Sequence, residues 1–431
     1  MGIEVTLGRD KADTKQFGER GRIYLGKSYV TMGTQTSLSN FMKLDVARTH
    51  AILIAGKRGS GKSYTLGVIA EELAHLPRET AHNIASIIFD TMGIFWTMKF
   101  TNEKDRALLH EWHLQPTSLP LNVLVPFGKA EEYTEKNIPF DATFALKPSE
   151  LKAEEWCTVF NLTFTSPEGV LIQNALTTVS QTYSLEEIHH AIEQTSSPPE
   201  VKASVQALFN AVKTWGIFTQ TDEGTEIRDL VKPGGTTVID LSVYSSVGTF
   251  NVRALVISLI TRKLFENRAT SRKAEELAAV QRGNMYRSYT ETKDPLLWLF
   301  IDEAHEFLPK EGKTPATNAL LQVLREGRQP GVSLVLATQQ PGKIHTDVMT
   351  QSDIVIAHRV TSSQDLQAIQ EIMQSYVFAD MKQKMDELPP EKGAALILDD
   401  TAERLYPIRV RPRFNWHGGE APTAIKAEVQ L

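Results

Sequence analysis

The chain has 431 residues, 41% of them hydrophobic and 23% charged, with a formal net charge of −6. That length allows two or three domains with a sizeable core, and the acidic balance argues against a dedicated nucleic-acid coat while leaving room for basic residues inside a ring. A single cysteine, Cys157, excludes an intrachain disulfide and argues against a cysteine-built zinc site, while the absence of a secretory pattern at the start and of any run near ~18 apolar residues points to a cytoplasmic protein without membrane spans.

Residues 1–45 are polar and glycine-spotted, with short β-like pieces such as Arg22-Ile23-Tyr24-Leu25. Residues 46–100 open an α/β core. In it, the apolar run 51–55 enters a glycine loop and a helical pattern follows over 63–75, the order strand, loop, helix. A second buried strand is predicted at 85–90. Residues 101–234 change in texture: beyond 122–125 the strand spacing is lost, and 147–215 gives amphipathic stretches of helix length. One of these opens on the capping-box spacing of Ser184 and Glu187. A mostly helical insertion is expected here.

Strand rhythm resumes at 236–241, and the core continues to 419. A strong helix is predicted over 252–267, then a charged surface helix or linker over 268–293. Short apolar runs at 296–301, 332–337 and 353–358 read as strands, with a helix at 316–328 between the first two. Closing strands are predicted at 394–398 and 406–410, and 420–431 is a tail. Continuous apolar strands alternating with helices predict an α/β fold with a mainly parallel sheet covered on both faces.

Gly56-Lys57-Arg58-Gly59-Ser60-Gly61-Lys62-Ser63 matches GxxxxGK[ST]. Glycines let the backbone wrap phosphate with its N–H groups turned inward, and the helix beyond adds a positive end. Lys62 would reach the β- and γ-phosphates of ATP, the Ser63 hydroxyl would ligate Mg²⁺, and Tyr64 follows at the edge of the site. A chance glycine turn is the plainer alternative, and the strand–helix context speaks against it. The run Leu296 to Ile301 ends in Asp302 and Glu303. Beside a phosphate loop such a pair supplies a Mg²⁺ ligand, Asp302, and a base that polarises the attacking water, Glu303. Alone, the pair could merely cap a helix.

Three stretches then share one resemblance. Ile301-Asp302-Glu303-Ala304-His305-Glu306-Phe307-Leu308-Pro309, Leu324-Arg325-Glu326-Gly327-Arg328-Gln329-Pro330-Gly331-Val332 and Leu336-Ala337-Thr338-Gln339-Gln340-Pro341 resemble the HerA branch of the FtsK–HerA ATPases. Phe89-Asp90-Thr91-Met92-Gly93, the stretch 230–242 and the ending Arg411-Pro412-Arg413-Phe414-Asn415-Trp416-His417-Gly418-Gly419 extend it, in colinear order, over roughly 26–419. The resemblance implies a RecA-like P-loop core and a hexameric ring that threads double-stranded DNA and translocates at the expense of ATP. It also implies active sites shared between subunits and work with a nuclease, or with another effector in antiphage defence. Gln339 takes the family role of γ-phosphate sensor. Arg328 matches the arginine that contacts the nucleotide phosphates, from its own subunit or a neighbour, with Arg325 in reserve. HerA proteins usually begin with a β-barrel domain. Here 55 residues precede Gly56, so a truncated form is expected.

Weaker candidates remain. Asp90 closes the nucleotide pocket or caps a helix. Arg253 is read as a solvated helix start, the alternative being reach to a neighbouring subunit. His305 and His358 are read as structural rather than metal-binding. Lys310-Glu311-Gly312-Lys313 lines a DNA pore or is a charged surface loop. The leading function is a HerA-like DNA motor; the alternative is an ATP-dependent assembly platform that recruits an effector without processive translocation. A membrane-bound transport motor is disfavoured.

Overall fold

Strands that are apolar along their whole length are stable only where helices cover both faces of the sheet, and that requirement organises this chain. The computed structural model describes residues 3–32, 35–220, 223–244, 251–281, 294–360, 362–372 and 381–419. The expected tail, 420–431, and the end of the charged linker, 282–293, lie outside the described residues.

The strands are β1 Glu4–Leu7, β2 Arg22–Met32, β3 Gln35–Asp45, β4 Ala51–Ala55, β5 Ile84–Asp90, β6 Leu121–Pro126 and β7 Ala142–Phe144. They continue with β8 Thr236–Asp240, β9 Leu296–Ile301, β10 Val332–Thr338, β11 Ile354–His358, β12 Ala394–Asp399 and β13 Arg404–Val410. All lie in one sheet, in the order β1-β3-β2-β13-β12-β11-β4-β10-β9-β5-β8-β6-β7. From β11 to β7 every pairing is parallel. From β11 through β12, β13 and β2 to β3 the pairings are antiparallel. The parallel α/β core expected from the sequence is therefore present, extended by an antiparallel wing.

Period-two alternation divides the core between the two faces. Ile52 and Ile54 of β4 belong to the cluster that packs the helix Lys62–Ala74. Leu53 and Ala55 belong to the other, under the helices Val252–Gln281 and Thr317–Glu326. The helix Val252–Gln281 runs past the expected end because Arg268, 1% exposed, is held inside: its Nε donates to the Pro330 carbonyl (2.9 Å) and its Nη1 to that of Asp294 (2.9 Å).

The stretch 101–234 is helical in its middle. Helices Ala153–Val159, Pro167–Thr178, Leu185–Gln194 and Pro199–Lys213 surround the buried Trp156, whose ring lies 4.9 Å from that of Phe209. Ser184 and Glu187 do form a capping box, at 3.2 and 2.7 Å. The first third of the stretch differs from a helical insertion, since β6 and β7 extend the main sheet. The N-terminal segment forms the β2–β3 hairpin, with a short helix Lys11–Phe17 before it.

Past β13 the chain turns under the helix Lys62–Ala74. Arg411, fully buried, pairs with Glu71 at 2.5 Å and with Glu72 at 2.9 Å. The backbone N–H of Arg413 donates to the Tyr64 hydroxyl (2.6 Å). This strap fixes the back of the helix that the phosphate loop opens.

Candidate nucleotide site

β4, β10 and β9 are neighbours, and all three end at the same edge of the sheet. Their carboxyl ends carry the phosphate loop, Gln339, and Asp302 with Glu303. Parallel strands place the residues that follow them on one rim, where ligands bind in open α/β sheets.

The loop is shaped by its glycines. A Cβ on Gly56 would lie 2.5 Å from Ser60 Oγ and 2.7 Å from His358 Cβ, and Gly61 has φ +112°, a conformation that other residues rarely adopt. Lys57, Arg58 and Gly59 are exposed at its tip. Lys62 is buried, and its ammonium donates to the Lys57 carbonyl (3.2 Å), curled inside the loop. Burial pulls its pKa below the usual range, against the opposing pull of Glu303 and Asp302. Ser60 Oγ is buried with no partner among the described residues. The loop thus encloses a cation and an unpaired hydroxyl, chemistry that suits a polyphosphate.

Asp302 is 2% exposed. Burial raises its carboxyl, and a hydrogen bond with the Ser63 side chain opposes the rise. Glu303 stands in left-handed backbone conformation (φ 51°, ψ 43°) and caps the turn Ala304–Glu306. Its Oε1 accepts from Gln339 Nε2 at 2.9 Å, while Oε2 is buried without a hydrogen bond. Burial, then the Asp302 charge, pushes this carboxyl up to about 7. A carboxylate so placed holds a proton easily and has one acceptor free. The hydroxyl and carboxylate of Ser63 and Asp302 are hard oxygen donors that touch each other, a set that fits Mg²⁺.

The chain matches the family described as Helicase HerA, central domain, over residues 28–264, and Helicase HerA-like C-terminal over 285–397. The chain belongs to the HerA family. Its fold is that of the P-loop ATPases. It is 28% identical over 194 residues to the DNA double-strand break repair helicase HerA of Pyrococcus furiosus, covering 42% of this chain and 33% of that one. To a probable DNA double-strand break repair helicase HerA of Methanocaldococcus jannaschii it is 33% identical over 99 residues, 22% of this chain and 20% of that one. The matched regions span no more than about a third of these HerA relatives' length. Among solved structures, VirB4 of Thermoanaerobacter pseudethanolicus superposes with a TM-score of 0.54 at 13% identity, over 96% of this chain and 99% of that one.

The other residues singled out in the sequence lie around this site or away from it. His358 lies behind the phosphate loop: its Nδ1 meets the Ala394 carbonyl (3.1 Å) and its Nε2 the Thr65 hydroxyl (2.8 Å), while burial pushes its pKa down to about 4. His305 faces Thr338 and Gln340 at 3.2 and 3.3 Å and is lowered by burial and the charges of Lys343 and Lys62. His305 Nδ1 also lies 3.5 Å from Glu303 Oε2, and among the described residues no His/Cys/Asp/Glu group could hold a metal by itself. Lys310 and Lys313 are exposed beyond the acidic strand.

Arg328 is at the opposite edge. It precedes β10, and its carbonyl accepts from Thr49, before β4 (3.3 Å). Roughly 20 Å of strand separates it from Gln339. The side chain is exposed, with no hydrogen bond or ion pair among the described residues. Arg325, the reserve, pairs with Asp347 at 2.5 Å.

Arg253 corrects the expectation of a solvated helix start: it is 8% exposed. With it the structure assembles a group that the sequence reading missed. Asp90 and Asp240 end β5 and β8 in register, and both are buried. Burial raises both carboxyls, and the adjacent Asp240 charge adds to the rise at Asp90. Asp90 also accepts from the backbone of Met92, Gly93 and Phe95 at 3.1, 2.7 and 2.7 Å. The signal was available: IIFD, TVID and LFID each end an apolar run with aspartate.

Proposed function

We propose that the chain is an ATP-hydrolysing motor subunit that assembles into a hexameric ring, translocates on double-stranded DNA, and is coupled to a nuclease or other effector. The observation that carries the ATPase reading is the hydrogen bond from Gln339 to Glu303, on a carboxyl raised toward neutrality, beside Lys62, Ser63 and Asp302. Lys62 leaves the Lys57 carbonyl to meet the β- and γ-phosphates, and the loop's backbone N–H groups hold the rest. Glu303 takes the proton of the attacking water through Oε2, which carries no hydrogen bond, and Gln339 fixes the orientation of that carboxylate. When bound through Ser63 and Asp302, Mg²⁺ supplies charge neutralisation at the phosphate oxygens.

The ring is supported by Arg328. Held at the far edge of its own sheet and free of partners there among the described residues, it suits a site completed by a neighbouring subunit. The names of the Pyrococcus and Methanocaldococcus relatives support DNA as the track. The experiment is an ATPase assay with and without duplex DNA, on an oligomer of measured mass. We expect six subunits, stimulation by duplex, and a DNA affinity that falls steeply with salt through counterion release. An assembled oligomer that binds no duplex at low salt sinks the motor and leaves the platform reading.

A further inference from the structure

Arg253 lies in the first turn of the helix Val252–Gln281, where the helix dipole disfavours a cation. It is 8% exposed, and its Nε has no hydrogen-bond partner. Burial lowers its pKa, against the pull of three carboxylates: Glu306, Asp90 and Asp240. A buried cation against its own helix dipole persists only when carboxylates around it compensate. The contact that matters lies on the catalytic side. Arg253 Nη1 is 3.6 Å from Glu306 Oε2, and Glu306 ends the turn Ala304–Glu306 that Glu303 opens. That turn is short, closed by the Glu306 N–H donating to the Glu303 carbonyl (2.9 Å), and Glu303 holds a left-handed backbone within it. Such a conformation in a residue with a side chain is strained and persists only where the surroundings impose it.

We propose that Arg253 is a positioning residue for hydrolysis: by pairing with Glu306 it anchors the Glu303–Glu306 turn to the start of the helix Val252–Gln281 and aims the Glu303 carboxylate. This rests on the reading of Glu303 as the base. Arg253 touches neither the phosphate loop nor Lys62, so its loss acts on turnover and not on nucleotide capture. Without it, Glu306 adds an uncompensated charge beside Glu303 and the turn loses its tether to the helix Val252–Gln281.

The test uses the full chain, with kcat and KM for ATP, binding of a fluorescent ATP analogue, and thermal melting. We expect Arg253→Met to lower kcat by about tenfold to a hundredfold, the scale of a misplaced catalytic group, with analogue affinity unchanged. Arg253→Lys keeps the charge and loses the fork, and restores part of kcat. Glu306→Gln lowers kcat similarly, and the double variant is no slower than the slower single variant, because the two act as one unit. A folded Arg253→Met with wild-type kcat overturns the proposal. So does a parallel fall of kcat, analogue affinity and melting temperature that Arg253→Lys does not relieve. If Arg253→Met does not fold, Glu306→Gln decides, and unchanged kcat there overturns the proposal. Wild-type turnover in Glu303→Gln instead places the base elsewhere and removes the reading of Glu303 on which this proposal rests.

Discussion

Glu303 and Lys62 share one electrostatic account. Lys62 is buried and Glu303 half-buried, each beside the other's opposite charge, and in each case desolvation outweighs that attraction, raising the acid and lowering the amine. The arrangement is expensive in the absence of phosphate, and a bound triphosphate relieves it by giving Lys62 a partner. Lys62→Ala is therefore expected to lose nucleotide affinity, measured by titration with a fluorescent ATP analogue, and turnover with it. Wild-type turnover in that variant removes the phosphate loop from the reaction. Glu303→Gln is expected to behave oppositely: it retains the Gln339 contact and the shape of the turn but cannot accept a proton. Bound ATP should persist in that variant while phosphate release stops. Normal turnover per bound ATP would place the base elsewhere.

At the scale of elements, one imidazole adds a side-chain tie between the antiparallel wing and the catalytic sheet, beside the β11–β12 ladder. His50 precedes β4 and reaches Asp353, before β11, at 2.6 Å and Asp45, at the end of β3, at 3.3 Å. Burial alone would lower its pKa, but the hydrogen bonds and charges of Asp353 and Asp45 overcome this and raise it to about 9 from 6.5. The folded pKa exceeds the unfolded one, so the contribution is full below about pH 6.5 and fades as pH rises through 9. It amounts to roughly 3 kcal/mol. The urea midpoint should fall between pH 7 and 9, and His50→Asn should flatten that dependence; a profile unchanged by the substitution refutes the link. This joint was not legible in the sequence, because it unites residues far apart in the chain through register alone. Nor was the burial of Arg253, which a local reading places at a wet helix start, whereas the Asp90–Asp240 pair left a signal in two apolar runs that each end in aspartate. The parallel strands were legible because burial on both faces leaves them uniformly apolar. The phosphate loop, Asp302 and Glu303 were legible because their chemistry needs residues adjacent in sequence. β2, β3 and β7 carry weaker patterns, being polar on one side or short.

For the whole molecule, the position of Arg328 separates two designs. In its own subunit it stands at the amino edge of β10, while Gln339 and Glu303 stand at the carboxyl edge, so a catalytic role requires a second copy. In a ring, the amino edge of one subunit must then face the carboxyl edge of the next, a heterologous contact that closes by rotation. Arg328→Ala is expected to leave ATP binding nearly intact and to lower kcat by ~10³ or more, the scale for an arginine that stabilises phosphoryl transfer. The decisive measurement mixes this variant with Glu303→Gln under conditions where subunits exchange, with mixed rings verified by native mass spectrometry. Some interfaces then pair an intact Glu303 with an intact Arg328 from different chains, and activity absent from either variant alone should reappear. Recovery should be partial, because interfaces holding two altered residues, or none adjacent to a working neighbour, interrupt coordinated firing. Verified mixed rings without any recovery would remove Arg328 from catalysis, since the sheet leaves it no route to the nucleotide of its own subunit.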